Sequence, residues 1–337
     1  MPGGERYGLR RIIAAMNKKN SAAPAELRTR LLGALAKNRV AKLNFPGMLM
    51  GLAGEQHGDD GLTLRYDDGA WTRNSAGEVH WPVLGVLLDV ALGAVTRLKT
   101  GATHRPATVQ LEVSFTGSPM REPPAASARF VEYTQRSAVK HAIASAVVTS
   151  GGVPVAHASG SFVLLELKED AMQQVLPWVS RELSVDPLAT HHMQDHERAV
   201  LRRYDRACAL ATVEHPFIER FWSGVPQRRE GTARLSVPVG AHLGNRIGQV
   251  HGGILFGLAA HTACAAAPAT MRLSNIAAWF TSPGQGTRLT VRSSVLHASR
   301  NLAVVRTQIT GAGNVRVLEA TSQHLRVPGA VQARSSA

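Results

Sequence analysis

Residues 245–253 read NRIGQVHGG, and residues 74–82 read NSAGEVHWP. Asn245 and His251 keep the spacing of Asn74 and His80, and the same offset carries Gly69-Ala70 onto Gly240-Ala241 and Glu26 onto Glu197. Each His leads into an apolar stretch of helical length, WPVLGVLLDVALGAV in the first copy and GGILFGLAAHTACAAA in the second. Solenoid repeats have periods of roughly 20–50 residues, so self-similarity at this longer period means two copies of a small domain. The expectation is a fused pseudo-dimer within one chain.

Outward from the two loops, the pattern repeats. Upstream lie helical stretches, ELRTRLLGALAKNRVAKLNFPGMLM from Glu26 and HERAVLRRYDRACALATVEHPFIERFW from His196. Downstream, VQLEVSF at 109–115 alternates apolar and polar residues as a half-buried strand does, with an echo in IAAWF at 276–280. Further β-rich runs follow, HAIASAVV and VAHASGSFVLL in the first copy, LAVVRTQIT and VRVLEATSQHLRV in the second; GG and GAGN between them suit hairpin turns. Each copy thus reads as lead-in helix, strand, polar loop, long apolar helix and about four strands. A helix apolar nearly all round must be enclosed, so the sheet is expected to wrap it. The expected boundaries are a basic arm at 1–25, a first domain at 26–166, a linker at 167–196, a second domain at 197–328 and a tail at 329–337.

The chain has 337 residues, 44% of them hydrophobic, enough for two ordinary cores. Its two cysteines, Cys208 and Cys264, form no CxxC or Cys/His ligand pattern, so neither a disulfide framework nor a zinc site is expected, and a cytoplasmic location is. Asp89 interrupts one apolar segment and His261-Thr262 the other, so no membrane span is expected. The net charge of +14 is concentrated at the start, where residues 1–42 hold ten Lys or Arg against Glu5 and Glu26. That arm lacks interleaved aromatics and any nucleic-acid module, so it reads as a solvated arm and no nucleic-acid partner is expected.

The second loop, Asn245 followed six residues later by His251-Gly252-Gly253, resembles the motif of the hotdog-fold acyl-CoA thioesterases of the phenylacetate-degradation type. In that family an acidic residue stands nine positions after the His; Asp89 holds that place in the first copy. The resemblance covers about residues 46–166 and 213–328. It implies an α+β fold of two tandem hotdog domains, each a long central helix wrapped by an antiparallel sheet. It also implies active sites at the junction of two such units, one giving the helix N-terminus and the other the acid. The copies depart from the motif in complementary ways, since Trp81-Pro82 replaces Gly-Gly in the first and Ala260 replaces the acid in the second. One intact site is therefore expected, made of Asp89 from the first copy and Asn245, His251, Gly252 and Gly253 from the second.

Elementary chemistry agrees with that division. Thioester hydrolysis builds negative charge on the carbonyl oxygen, which the free N–H groups and positive dipole end of a helix N-terminus can stabilise. Glycine permits close approach, whereas Trp81 fills the space and Pro82 has no N–H. Asp89 could take a proton from water or attack the carbonyl itself. Asn245 could hydrogen-bond the water or the carbonyl, and could equally be a turn residue. His251 could orient the loop or the thioester, and could equally be a structural histidine. His261, beside the lost acid, is a possible replacement base. The expected reaction is hydrolysis of a fatty or aromatic acyl-CoA to acid and CoA, with the acyl group in a tunnel along the central helices. CoA enters as part of the substrate, and no other cofactor or metal is expected. Arg73, Arg246 and Arg300 are candidates for its phosphates. A non-catalytic acyl-CoA-binding regulator and a hotdog hydratase or dehydratase are the competing readings. By analogy with paired hotdog units, further association into a dimer or trimer of fused chains is expected.

Overall fold

The computed structural model describes residues 24–41, 44–101, 103–134, 139–167, 184–245 and 247–328. Most of the basic arm, most of the linker, the tail and Arg246 lie outside the described residues.

The first unit opens with α1 (Pro24–Ala41) and α2 (Phe45–Met50). The sequence pattern suggests one helix here, but Asn44 and Pro46 divide it. Asn44 sits at the N-cap, its Oδ1 accepting from the Gly47 N–H at 2.6 Å, and proline fits only the first turn of a new helix. Next come the hairpin β1 (Ala53–His57) and β2 (Gly61–Arg65), the polar loop, and the central helix α3 (Trp81–Thr100). Four strands complete the unit: β3 (His104–Phe115), β4 (Ala125–Tyr133), β5 (His141–Ser150) and β6 (Val153–Glu166).

The second unit repeats this order. It has α4 (Asp195–Leu210), a π-helical turn (Glu219–Ser223), β7 (Gln227–Arg229), β8 (Thr232–Pro238) and the second central helix α5 (Gly252–Ala266). Its remaining strands are β9 (Met271–Phe280), β10 (Arg288–Ala298), β11 (Leu302–Thr310) and β12 (Arg316–Arg326). Again the lead-in is broken, here over residues 211–216, where Ala211 turns extended and Pro216 opens the next helical turn, a place that needs no helical N–H.

All twelve strands join in one antiparallel sheet, in the order β1-β2-β4-β5-β6-β3-β9-β12-β11-β10-β8-β7. The order is symmetric about the β3–β9 pair, where Leu111 faces Ala278 and Val113 faces Ile276. VQLEVSF and IAAWF, recognised as echoes, thus lie side by side as the seam between units. Gly151 and Gly152, both with positive φ, make the β5–β6 turn, and Gly313 and Asn314 do the same for β11–β12.

The chain is a tandem double hotdog. Strand alternation turns Ala142, Ala144 and Val148 of β5 and Ala303, Val305 and Ile309 of β11 inward onto the helices. Leu84, Leu87 and Leu88 of α3 and Ile254, Phe256 and Leu258 of α5 are fully enclosed, each such side chain contributing roughly 1.5–3 kcal/mol. α3 has the length and hydropathy of a membrane span, yet 78% of its most apolar window is buried inside this core. Its hydrophobicity is accounted for by the sheet around it.

The two central helices touch through glycines. A Cβ on Gly253 would stand 2.3 Å from the Gly85 carbonyl oxygen, and one on Gly257 would stand 2.3 Å from Pro82 Cα. Backbone meets backbone at this crossing, which brings the first turns of α5 and α3 together.

Candidate active site

The repeated loops explain their own sequences. Asn245 Oδ1 accepts from the N–H groups of Ile247 and Gln249, both at 3.0 Å; Asn74 Oδ1 accepts from Ala76 and Glu78 at 2.9 and 3.0 Å. Gly248 and Gly77 both take positive φ, which a glycine adopts without steric cost. The loops close with His251 N–H donating to Leu243 O and His80 N–H donating to Thr72 O. Asn, Gly and His are thus retained in both copies as parts of a turn that delivers a histidine to the N-cap of a central helix. With Oδ1 occupied, Asn245 has only its Nδ2 donor left for a ligand.

At the start of α5 the loop meets the other unit. Asp89 Oδ2 accepts from the Gly253 N–H at 2.8 Å and lies 3.2 Å from His251 Nδ1. Its Oδ1 accepts from Thr108 Oγ1 on β3 at 2.7 Å. Both Asp89 and His251 are nearly enclosed, with 9% and 8% of their side chains exposed. Burial holds the His251 imidazole below its ordinary pKa, with the Asp89 charge pulling the other way. Nδ1 is also 3.1 Å from the Gly253 nitrogen. A proton on Nδ1 suits the carboxylate and a lone pair suits the N–H, so the tautomer decides which neighbour is satisfied.

Three of the five residues singled out from sequence, Asp89, His251 and Gly253, therefore converge here through direct contacts, with Gly252 between the last two. Asn245 joins them on the wall of a cavity of about 170 Å³, along with Asp89, Thr108 and His251. The glycines have a reason the sequence did not suggest. A Cβ at Gly252 would stand 2.7 Å from Asp89 Oδ2, so the first glycine admits the carboxylate and the second admits α3. The Gly253 N–H is taken by Asp89, while the Gly252 N–H has no protein acceptor among the described residues. Thr108 was missed from sequence because its position on the carboxylate depends on a bulge between Thr108 and Gln110 that alternation cannot reveal.

The tunnel is expected along both central helices; the cavity is instead walled by Val90, Gly93 and Ala94 of α3 and Phe162 of β6, and none of the residues of α5 after His251 lines it. Arg73 is no candidate for CoA phosphates. It is buried, paired with Asp68, and donates to the carbonyls of Gly77, Met120 and Arg121. Arg300 sits in the β10–β11 turn, an eleven-residue strand away from the end of β10 that pairs with Pro238 beside the loop. Arg246 lies outside the described residues.

The symmetry-related position is filled. Ala260 is completely buried, and the π-helical turn 219–223 packs against the start of α3. His80 Nε2 lies 3.3 Å from Ser223 Oγ, and the His80 ring is tilted by 56° to that of His261 with centroids 5.3 Å apart. His261 Nε2 is 3.3 Å from Glu219 Oε1, whose other oxygen is 2.9 Å from His215 Nδ1. Burial raises the Glu219 pKa, but the close contacts with His261 and His215 outweigh it and hold the carboxyl below its usual range. His80 is held well below its ordinary value by burial and by His261. His261 is thus engaged by a neighbouring carboxylate in an enclosed polar cluster.

Residues 242–324 match the family model of the acyl-CoA thioesterase N-terminal domain. The second unit is an acyl-CoA thioesterase domain. With this domain the chain is a thioester hydrolase, and the matched segment begins in the loop that carries Asn245 and His251. A tesB protein of Mycobacterium avium subspecies paratuberculosis is similar in structure, with 12% identity, 82% of this chain and 96% of that chain covered, and a TM-score of 0.46. A Bacillus halodurans protein crystallised with CoA is 20% identical over 41% of this chain and 98% of its own, with a TM-score of 0.35. A Streptococcus mutans protein bound to acetyl-CoA is 18% identical over 31% of this chain and 88% of its own, with a TM-score of 0.30. Comparison with curated proteins gives no match.

Proposed function

We propose that the thioesterase domain and its partner unit hydrolyse a fatty or aromatic acyl-CoA at one site, with Asp89 as the catalytic carboxylate. The observation that carries this is the contact between Asp89 of one unit and the Gly253 N–H at the helix N-terminus of the other. In the proposed reaction Asp89 takes a proton from water as the water oxygen bonds the thioester carbon. The carbonyl oxygen, gaining charge, lies toward the Gly252 N–H and Asn245 Nδ2 at the positive end of α5. The C–S bond then breaks, the proton passes to the CoA sulfur, and the free acid leaves. Thr108 and the Gly253 N–H hold the carboxylate in place, and His251 packs beside it. The filled counterpart around Ala260 supports a single site per chain.

The test is Asp89→Asn, which nearly preserves shape. Thiol release from short, medium, long and aromatic acyl-CoAs is expected to fall at least 10²-fold with the melting temperature little changed. Wild-type-like turnover by the variant would remove Asp89 from the reaction. Binding of acyl-CoA without turnover by the wild type would favour a binding regulator.

A further inference from the structure

The cavity continues past Asp89. α3 carries its wall from Asp89 through Val90 and Ala94 to Arg97, and β3, returning antiparallel, carries it from Thr108 through Pro106 to Arg105. Arg97 lies eight residues beyond Asp89, about 12 Å at 1.5 Å per residue. Phe162 closes the same apolar span from β6. Arg97 is buried and donates Nη1 to the carbonyls of Gly101 and His104, which fixes the turn between helix and strand. Arg105 is half-buried, and among the described residues no carboxylate forms an ion pair with it. Burial alone pushes its pKa below the ordinary value, with no anion nearby to oppose it. A guanidinium drawn from water against an apolar wall is costly without a counter-charge, and its planar fork suits carboxylate and phosphate alike.

Building on the reading that Asp89 marks the reacting end, we propose that Arg105 binds an anionic group of the substrate across the apolar span from Asp89. Two sources carry that chemistry: a carboxylate ending the acyl chain, which makes the substrate a dicarboxylic acyl thioester, or a phosphate of CoA.

The experiment compares wild type, Arg105→Gln and Arg105→Lys on two acyl groups of equal length, one ending in methyl and one in carboxylate. Each is supplied as the CoA thioester and as the N-acetylcysteamine thioester, which lacks phosphates. Loss of a charge-assisted hydrogen bond is expected to lower kcat/KM roughly 10–100-fold in Arg105→Gln. A loss confined to the carboxylate-ended acyl group on both carriers assigns the acyl carboxylate. A loss confined to both CoA thioesters assigns the phosphate. Unchanged kcat/KM on all four substrates overturns the proposal. Arg105→Lys keeps the charge and is expected to lose less, which separates charge recognition from damage to the strand. If the wild type hydrolyses none of the four, the hydrolase reading fails, and calorimetric titration with CoA and with the free dicarboxylic acid decides the anion site separately. Binding at least tenfold weaker in Arg105→Gln sustains the site, and equal binding overturns it.

Discussion

Two neighbouring alanine substitutions should separate the fold from the chemistry. At Gly253 a Cβ would lie 2.3 Å from Gly85 O, 2.4 Å from Gly85 C and 2.5 Å from Val86 N. Carbon contacts prefer about 3.5–4.0 Å, so the helices must part by about 1 Å, and the obstacle is backbone that has no rotamer to change. Overpacking of this kind costs about 1–3 kcal/mol, and enclosure on several sides argues for the upper end. Better helix propensity of alanine returns up to about 1 kcal/mol. The net loss of about 2 kcal/mol predicts a melting temperature about 4–8 °C lower for Gly253→Ala. At Gly252 the obstacle is Asp89 Oδ2 at 2.7 Å, the end of a side chain that can swing aside. Gly252→Ala should therefore melt within about 2 °C of wild type, since the propensity gain offsets the strain. Its turnover should fall about 10²-fold, because a displacement of about 1 Å at a reacting group has that effect. Calorimetric unfolding and thiol release on the two purified variants make the comparison. A Gly253→Ala protein as stable as wild type would refute the close crossing, and a fully active Gly252→Ala protein would refute the need for Asp89 at the helix end.

Thr108→Val removes one hydrogen bond to a carboxylate, about 1.5–3 kcal/mol, so kcat should drop roughly 10–100-fold while Thr108→Ser stays near wild type; equal rates for all three would remove the threonine from the mechanism. Ala260→Asp places a carboxylate at a fully buried position beside an occupied cluster, and is expected to destabilise by several kcal/mol without restoring turnover to Asp89→Asn. Recovery of activity in that double variant would show that the second position can still work. His324 is buried, its pKa lowered by burial to about 4, so as pH falls from about 6.5 the unfolded chain binds a proton that the folded chain refuses. Stability present above pH 6.5 is therefore lost toward pH 4, by about 3 kcal/mol from this residue. His324→Gln should show a smaller shift in urea midpoint between pH 7 and pH 4.5 than wild type, and an identical shift would contradict the assignment.

Sequence made the duplication legible because Asn and Gly are each demanded by the turn itself, so both loops kept them whatever became of the chemistry, and each turn ends in a His at the N-cap of its helix. The same fact limits what those residues reveal. Asn74 and Asn245 make equivalent hydrogen bonds, and only the surroundings distinguish the loops. Asp89 could be picked out because a carboxylate inside VLGVLLDVALG breaks an otherwise continuous apolar pattern. Its partner Thr108 and the charge at Arg105 could not, since both depend on how β3 folds back along α3. Nor could the closure of the second position be read, because the residues that fill it come from the turn at 219–223, far from Ala260 in sequence. The lead-in helices were visible, but a pattern of apolar residues does not register that Pro46 and Pro216 each open a new helical turn after a break.

The symmetric sheet with its unequal halves also bears on assembly. The β3–β9 seam joins equivalent strands, so the strand pairing by itself does not distinguish one unit from the other. Two first units would bring together acids without a glycine-opened helix end, and two second units would do the reverse. Joining both on one polypeptide fixes their ratio and makes the meeting of Asp89 with the start of α5 an intramolecular event. Covalent linkage here acts as a sorting device: strand pairing alone leaves the partner open, and the shared chain keeps the complementary unit at hand.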